Sequence, residues 1–313
     1  MDGQSAGGET DMHMERIAYG GWPNCICVRA GAVELVATTD VGPRIIRLGF
    51  VNGPNLMKEY ADQMGQTGGA EWRIYGGHRL WHAPEAKPRT YAPDNGPVAW
   101  EWNGIVLRLK QPVEAATGIE KHIEIAPAKD GSEILVRHRL INRNCWDIET
   151  APWSPTVMAP GGRLIAPHEP YRSHADYLLP SRPLVLWHYT DMSDPRWVWG
   201  RRYLQLIQDS SRSSPQKLGW LNQRGWIAYA RQGVLFVKRY DAMDGATYPD
   251  FDSNTETFTD PEMLEMETLG PLTRLAADGG AVEHVERWSL HRVDLGDFSE
   301  DAIERGLTSV GIR

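Results

Sequence analysis

AVELVATTDVGPRIIRLGFVNGPNLM, residues 32–57, decides the fold. Two runs of β-formers, 32–39 and 44–51, flank a turn built on Gly42 and Pro43, and a second turn signal, NGPN, follows the second run. The period along these runs is mostly two, the period of a strand.

The same pattern extends along the chain. VAWEWNGIVLRLKQ (98–111), GIEKHIEIAP (118–127), EILVRHRLINR (133–143), WIAYA (226–230) and VLFVKRYD (234–241) are short, rich in β-formers and separated by turn signals such as KDG, APGG and RQG. Helical stripes are nearly absent. The reading is an all-β protein, a large antiparallel twisted β-sandwich, in one domain over residues 16–313 behind a disordered tail of residues 1–15. Two stretches depart from the pattern. From Pro167 to Arg202 the chain is dense in Pro, His, Tyr and Trp, which predicts a long excursion over the sheet, a lid or a subsite. FSEDAIERGLTS (298–309) begins with a capping serine followed by acidic residues and predicts a short helix.

Composition narrows the function. A net charge of -8 with no basic block excludes a phosphate-tracking nucleic-acid surface. No apolar run reaches the ~20 residues of a membrane helix, and the first residues carry no basic start followed by an apolar stretch, so a cytoplasmic protein is expected. Cys25, Cys27 and Cys145 are odd in number and lack a CxxC clip, which fits buried thiols in a reducing compartment. Nothing in the sequence asks for a cofactor. Thirteen tryptophans accompany five phenylalanines, several beside polar residues; an indole suits the C–H face of a sugar and equally caps the end of a sandwich.

Chemistry concentrates in YGGHRLWHAPEAKPRTYAPDNGP (75–97). Gly76 and Gly77 permit unusual backbone, four prolines interrupt pairing, and His78, Arg79, Trp81, His82 and Glu85 supply a proton carrier, a donor fork, a flat ring and a carboxylate. The same residues also fit a solvated loop whose tryptophan plugs the sandwich edge. A second, acidic constellation spans residues 240–272. Alternation in MLEMETL sends Glu265 and Glu267 to one face and Leu264, Met266 and Thr268 to the other; two carboxylates that close raise each other's pKa, as a general base near neutrality requires, although a solvated outer face reads the same way. Asp241, Asp244, Asp250, Asp252 and Glu256 invite a calcium reading, but their spacing does not match an EF-hand loop and no metal is assigned. Alternation in VLFVKRYD turns either Lys238 or Arg239 inward, which would favour a uronic acid or a phosphorylated sugar; an edge strand with both exposed is the alternative.

VATTDVGPRIIRLGFVNGPNLM (36–57), GGHRLWHAPE (76–85), PWSPTVMAPGG (152–162) and LEMETLGPL (264–272) together resemble a bacterial branch of the galactose mutarotase-like superfamily, over roughly residues 32–292. The resemblance implies a twisted β-sandwich with a sugar in a shallow cleft on one concave sheet. It also implies aldose 1-epimerase chemistry, in which a glutamate base takes the anomeric hydroxyl proton and a histidine acid protonates the ring oxygen. Glu267 falls where the family's late-strand glutamate stands, and His78 is the candidate acid, with His82 in reserve and Arg79 as a clamp on the substrate. The chain departs from the family at PWSPT, where Trp153 stands in place of a histidine; His168 and His174 of the excursion are the residues that would supply it.

Two functions follow from different classes. One is an anomer-interconverting isomerase with Glu267 and His78 as base and acid. The other is a sugar-binding or sensing protein that uses Arg79, Trp81 and Trp153, with His82, Glu85, His168, Lys238, Arg239 and Glu265 as further candidate contacts. A lyase or hydrolase working through Glu265 and Glu267 is disfavoured, because two residues of one strand straddle a bond awkwardly.

Overall fold

The computed structural model describes residues 12–128 and 133–312. The KDG turn (129–131) and most of the expected tail lie outside these residues. The tail's far end is corrected: Met12–Tyr19 is a strand whose Met12 pairs with Ala30, so Met12 to Glu15 belong to the sheet.

Two antiparallel sheets face each other. The first runs, in spatial order, through Met12–Tyr19, Trp22–Ala30, Val33–Thr38, Arg44–Phe50, Gly77–Arg79, Ile148–Met158, Leu264–Leu269, Thr255–Thr259, Gln216–Trp220 and Leu184–Leu186. The second runs through Trp197–Trp199, Tyr203–Ile207, Arg163–Pro167, Trp226–Arg231, Val234–Tyr240, Ala281–Arg292, Ile134–Asn142, Ile119–Pro127, Leu107–Lys110 and Ala99–Trp102. The core lies between them. Ile26, Leu35, Ile45, Leu218 and Met266 from the first sheet meet Ile123, Val136, Phe236 and Trp288 from the second, the interdigitation expected of aligned sheets.

The opening stretch behaves as read: Val33–Thr38 pairs with Arg44–Phe50 across the Gly42–Pro43 turn. The terminal helix is Glu300–Ser309; Ser299 Oγ accepts from Ala302 N, and Ile303 and Leu307 cover Trp226, Leu235 and Val237 on the outer side of the second sheet. Beyond Pro167, which ends the strand Arg163–Pro167, the Pro167–Arg202 excursion contributes only Leu184–Leu186 and Trp197–Trp199 to the sheets, each as an edge strand.

Candidate functional site

The centre of the first sheet has two faces, and its register sorts the candidate residues between them. Pro155 pairs with Glu267, which pairs with Glu256; one residue along, Thr156 pairs with both His78 and Met266. Met266 belongs to the core, so His78 and Thr156 point inward, whereas Glu256, Glu265 and Glu267 point outward.

On the outer face Arg79 is held flat. Its guanidinium lies 4.3 Å from the Trp81 ring and 5.8 Å from the Trp72 ring, while Nη2 donates to Glu265 Oε1 at 2.9 Å. The two glycines make this placement possible. A Cβ on Gly76 would come within 2.0 Å of Lys58 O, and one on Gly77 within 2.2 Å of Ile45 O. Arg44 fixes the approach from below, donating to Ile74 O and Gly76 O at 2.9 Å each and pairing with Asp94 at 2.7 Å.

Beside Arg79 the face is aromatic. Trp81 packs on Trp72, Tyr91 and Trp153 with ring centroids 5.2–5.5 Å apart. Trp153 Nε1 donates to Glu267 Oε2 at 2.8 Å, so the residue standing where the resemblance places a histidine orients the glutamate. Lys217 completes the arrangement: Nζ lies 3.3 Å from Glu267 Oε2 and 2.8 Å from Glu256 Oε2, between the Trp153 and Trp187 rings at 4.9 and 4.7 Å. All three ionisable groups are buried. Burial raises both glutamates' pKa against the pull of Lys217, and each gains from a neighbouring carboxylate, Glu267 for Glu256 and Glu265 for Glu267. Burial works against the Lys217 cation as well, but Glu256 and Glu267 outweigh it and hold its pKa well above the ordinary value.

Several buried polar atoms on this face have no hydrogen-bond partner among the described residues. They are Arg79 Nε and Nη1, Trp72 Nε1, Glu267 Oε1 and Glu256 Oε1, while Glu256 Oε2 has its ion pair with Lys217. Around them stand Glu85, which accepts from the Tyr91 hydroxyl, and Tyr189, which packs edge-on against Phe258 and whose hydroxyl burial pushes up to about 12.

The inward-facing candidates belong to a different structure. His138 Nδ1 donates to His284 O at 3.0 Å, which leaves its Nε2 to accept; His78 Nε2, 2.7 Å away, therefore donates, and His78 Nδ1 accepts from the Thr156 hydroxyl at 2.8 Å. Lys238 pairs with Glu286 at 2.8 Å and donates to Ser154 O and Met266 O at 3.2 and 3.3 Å, so it too bridges the sheets. Burial pulls the His78 pKa well below the ordinary value, and neighbouring His138 and Lys238 deepen the shift.

These positions correct five expectations. His78 is not on the face of Glu267, so the anticipated base and acid lie on opposite sides of one sheet. His82 also faces inward; burial, with Lys121 nearby, lowers its pKa to about 2. Lys238 is the inward cation of its strand, yet its charge is spent on Glu286 inside the sandwich. Arg239 turns away, to Glu133 at 3.5 Å. His168 contacts Arg182 and lines a cavity of about 410 Å³ beside Trp226, Glu304 and Leu307, next to the terminal helix. The outer face does gather Glu267, Glu265, Arg79, Trp81 and Trp153, with Glu85 at its edge. Sequence reasoning gave Glu256 only a place in a calcium cluster and did not put Lys217 among the site residues. The signal that would have found them is a charge inside an otherwise apolar or hydroxyl-bearing strand, QKLGW and TETFT.

Comparison with known proteins bears on the architecture. No protein-family model and no curated protein matches the chain. Among solved structures, a galactose mutarotase-like protein from Clostridium acetobutylicum is similar at 9% identity and a TM-score of 0.56, over 91% of this chain and 100% of that one. A candidate aldose 1-epimerase from Klebsiella pneumoniae aligns at 8% identity and a TM-score of 0.57, over 96% and 86%. A TPR-domain-containing protein from Parabacteroides distasonis aligns at 12% identity and a TM-score of 0.58 over 88% of this chain, which spans 48% of that protein's length. At such identities the likeness is one of fold, and the chain folds as a galactose mutarotase-like β-sandwich.

Proposed function

We propose that the outer face around Glu267 binds a sugar and interconverts its anomers, with Glu267 as the base, in the manner of an aldose 1-epimerase. The observation that carries this reading is the set of buried, unpartnered polar atoms on an aromatic face. Arg79 Nε and Nη1, Trp72 Nε1 and Glu267 Oε1 are each desolvated without compensation, at a cost of about 1–3 kcal/mol for such a group. A pyranose answers this pattern, with hydroxyls for the donors and acceptors and a C–H face for Trp81 and Trp72. Glu267 has the features of a base: one oxygen is fixed by Trp153 and Lys217, the other is free, and its pKa is raised by burial.

A second reading, a sugar-binding protein without turnover, is favoured by one observation. Glu267 is fully buried beneath Trp153 and Lys217, with Trp187 over the lysine, so a substrate reaches it only if the Trp187 turn moves. Exchange NMR of anomer interconversion separates the two, using neutral, uronic and phosphorylated aldoses. Acceleration by the wild type that disappears in Glu267→Gln supports the epimerase; sugar binding with no acceleration selects the binding protein.

A further inference from the structure

We infer that Glu256 is the proton donor that works opposite Glu267, in the role that the inward-facing His78 cannot fill; the inference rests on the epimerase reading above. Glu256 and Glu267 are direct register partners on Thr255–Thr259 and Leu264–Leu269, which sets their Cβ atoms about 5 Å apart on the same face. Both are fully buried. Lys217 Nζ touches one oxygen of each, at 2.8 and 3.3 Å, and among the described residues it is the cation in ion-pair contact with either. One cation balances one carboxylate. The second carboxylate, buried away from bulk solvent, is most stable as the neutral acid.

The division of labour follows from the contacts. Glu267 accepts from Trp153 Nε1 and Lys217 Nζ on Oε2, hydrogen bonds that favour its ionised form and leave Oε1 open. Glu256 has Lys217 alone in support of its ionised form, through the 2.8 Å contact to Oε2, while burial, Glu267 and Asp250 all oppose it. The proton therefore resides on Glu256. Three other titratable groups on this face are poor donors. Glu265 is bound to Arg79, Tyr189 is a phenol held near 12, and Lys217 is held charged between two carboxylates.

The step balances without a co-reactant. Glu267 Oε1 takes the proton of the anomeric hydroxyl, the C1–O1 bond becomes a carbonyl, the C1–O5 bond breaks, and O5 takes the proton of Glu256. The open-chain aldehyde then rotates about C1–C2, and closure on the other carbonyl face returns both protons. Lys217 is a positioning residue, holding the two carboxyls apart and in register.

The test compares Glu256→Gln and Glu256→Asp with the wild type by exchange NMR on whichever aldose the wild type turns over. A glutamine keeps the shape but has no acidic proton, so exchange is expected to fall by about 100- to 10,000-fold with sugar affinity within a few-fold, while aspartate restores part of the rate. Wild-type rates in Glu256→Gln would overturn the inference and leave the epimerase reading intact. A wild type that accelerates no aldose would overturn both. Should Glu256→Gln fail to fold, infrared spectroscopy of the wild type decides. The carbonyl stretch of a protonated carboxyl at neutral pH is expected, and its absence overturns the assignment.

Discussion

His78 and Arg79 are consecutive residues of one short strand and serve opposite sides of the sheet. His78 Nε2 lies 2.7 Å from His138 Nε2 across the sandwich, and Arg79 Nη2 lies 2.9 Å from Glu265 on the outer face. One side chain ties the sheets together, and the other equips the candidate site.

His78→Asn is accordingly expected to leave anomer exchange within about threefold of the wild type. The substitution orphans the buried Nε2 of His138 and should destabilise the fold by about 1–3 kcal/mol. Urea denaturation beside exchange NMR reads both quantities. A collapse of exchange with stability unchanged would restore His78 as the acid.

Arg79→Met removes the donors stacked on Trp81 and leaves Glu265 without its partner. Hydrogen bonds to a charged group contribute about 1.5–3 kcal/mol, so sugar affinity should fall by roughly 10- to 100-fold. Titration followed by tryptophan fluorescence measures it, since Trp81 and Trp72 would line the face that takes the proposed sugar. Unchanged affinity would remove Arg79 from the site.

Lys217→Met leaves Glu256 and Glu267 buried without a counter-ion. Stranding a buried charge costs about 3–5 kcal/mol, although protonation of Glu267 beside the neutral Glu256 recovers part of that at low pH. The variant should therefore regain stability relative to the wild type as pH falls from 8 to 5. A constant difference across that range would mean that Lys217 acts by packing alone.

Stability of the wild type should itself decline in acid. His78, His82, His138 and His284 are buried with lowered pKa values, about 2 for His82 and about 3 for His284, burial being the main cause. Below the ordinary histidine value of about 6.5 the unfolded chain binds protons that the folded chain refuses. Folding free energy is thus lost as pH falls from there toward the folded-state values, by up to about 1.4 kcal/mol per pH unit for each imidazole. Glu256 and Glu267, with raised pKa values, act in the opposite sense, but they are two groups against four. Urea midpoints at pH 8, 6.5 and 5 check the sign; a midpoint that rises in acid would show that the imidazoles are not buried as described.

Trp187→Ala takes one indole from the roof over Lys217, which it meets at 4.7 Å. Acrylamide quenching of the remaining tryptophans should become stronger, and sugar association faster. Trp187 is only half-buried, so the cost in stability should stay below that of a core tryptophan, about 3–5 kcal/mol. No change in quenching would place the entrance elsewhere.

Much of this was legible in the sequence. Strand grammar gave the sandwich, MLEMETL placed Glu265 and Glu267 on one face, and Ser299 with its acidic neighbours announced the terminal helix. Strand period also says that His78 and Arg79 cannot share a face, so Arg79 and Glu267 could have been paired without the histidine. What could not be read is which of two faces looks inward at a strand of three residues, since GHR is buried on both. Nor does sequence disclose partnership at a distance. Lys217 meets Glu267 fifty positions away, and Trp153 meets it across more than a hundred, through registers set by strands that are far apart in the chain.

The polar seam inside the sandwich has a consequence for misfolding. Purely aliphatic sheets can slide over one another at little cost, since one methyl group replaces another. Here a slip of a single residue would carry His78 away from His138, and Lys238 away from the backbone oxygens of Ser154 and Met266, leaving each in hydrocarbon without water. The seam thus acts as a key in a lock, penalising wrong alignments of the two layers more than it strengthens the right one.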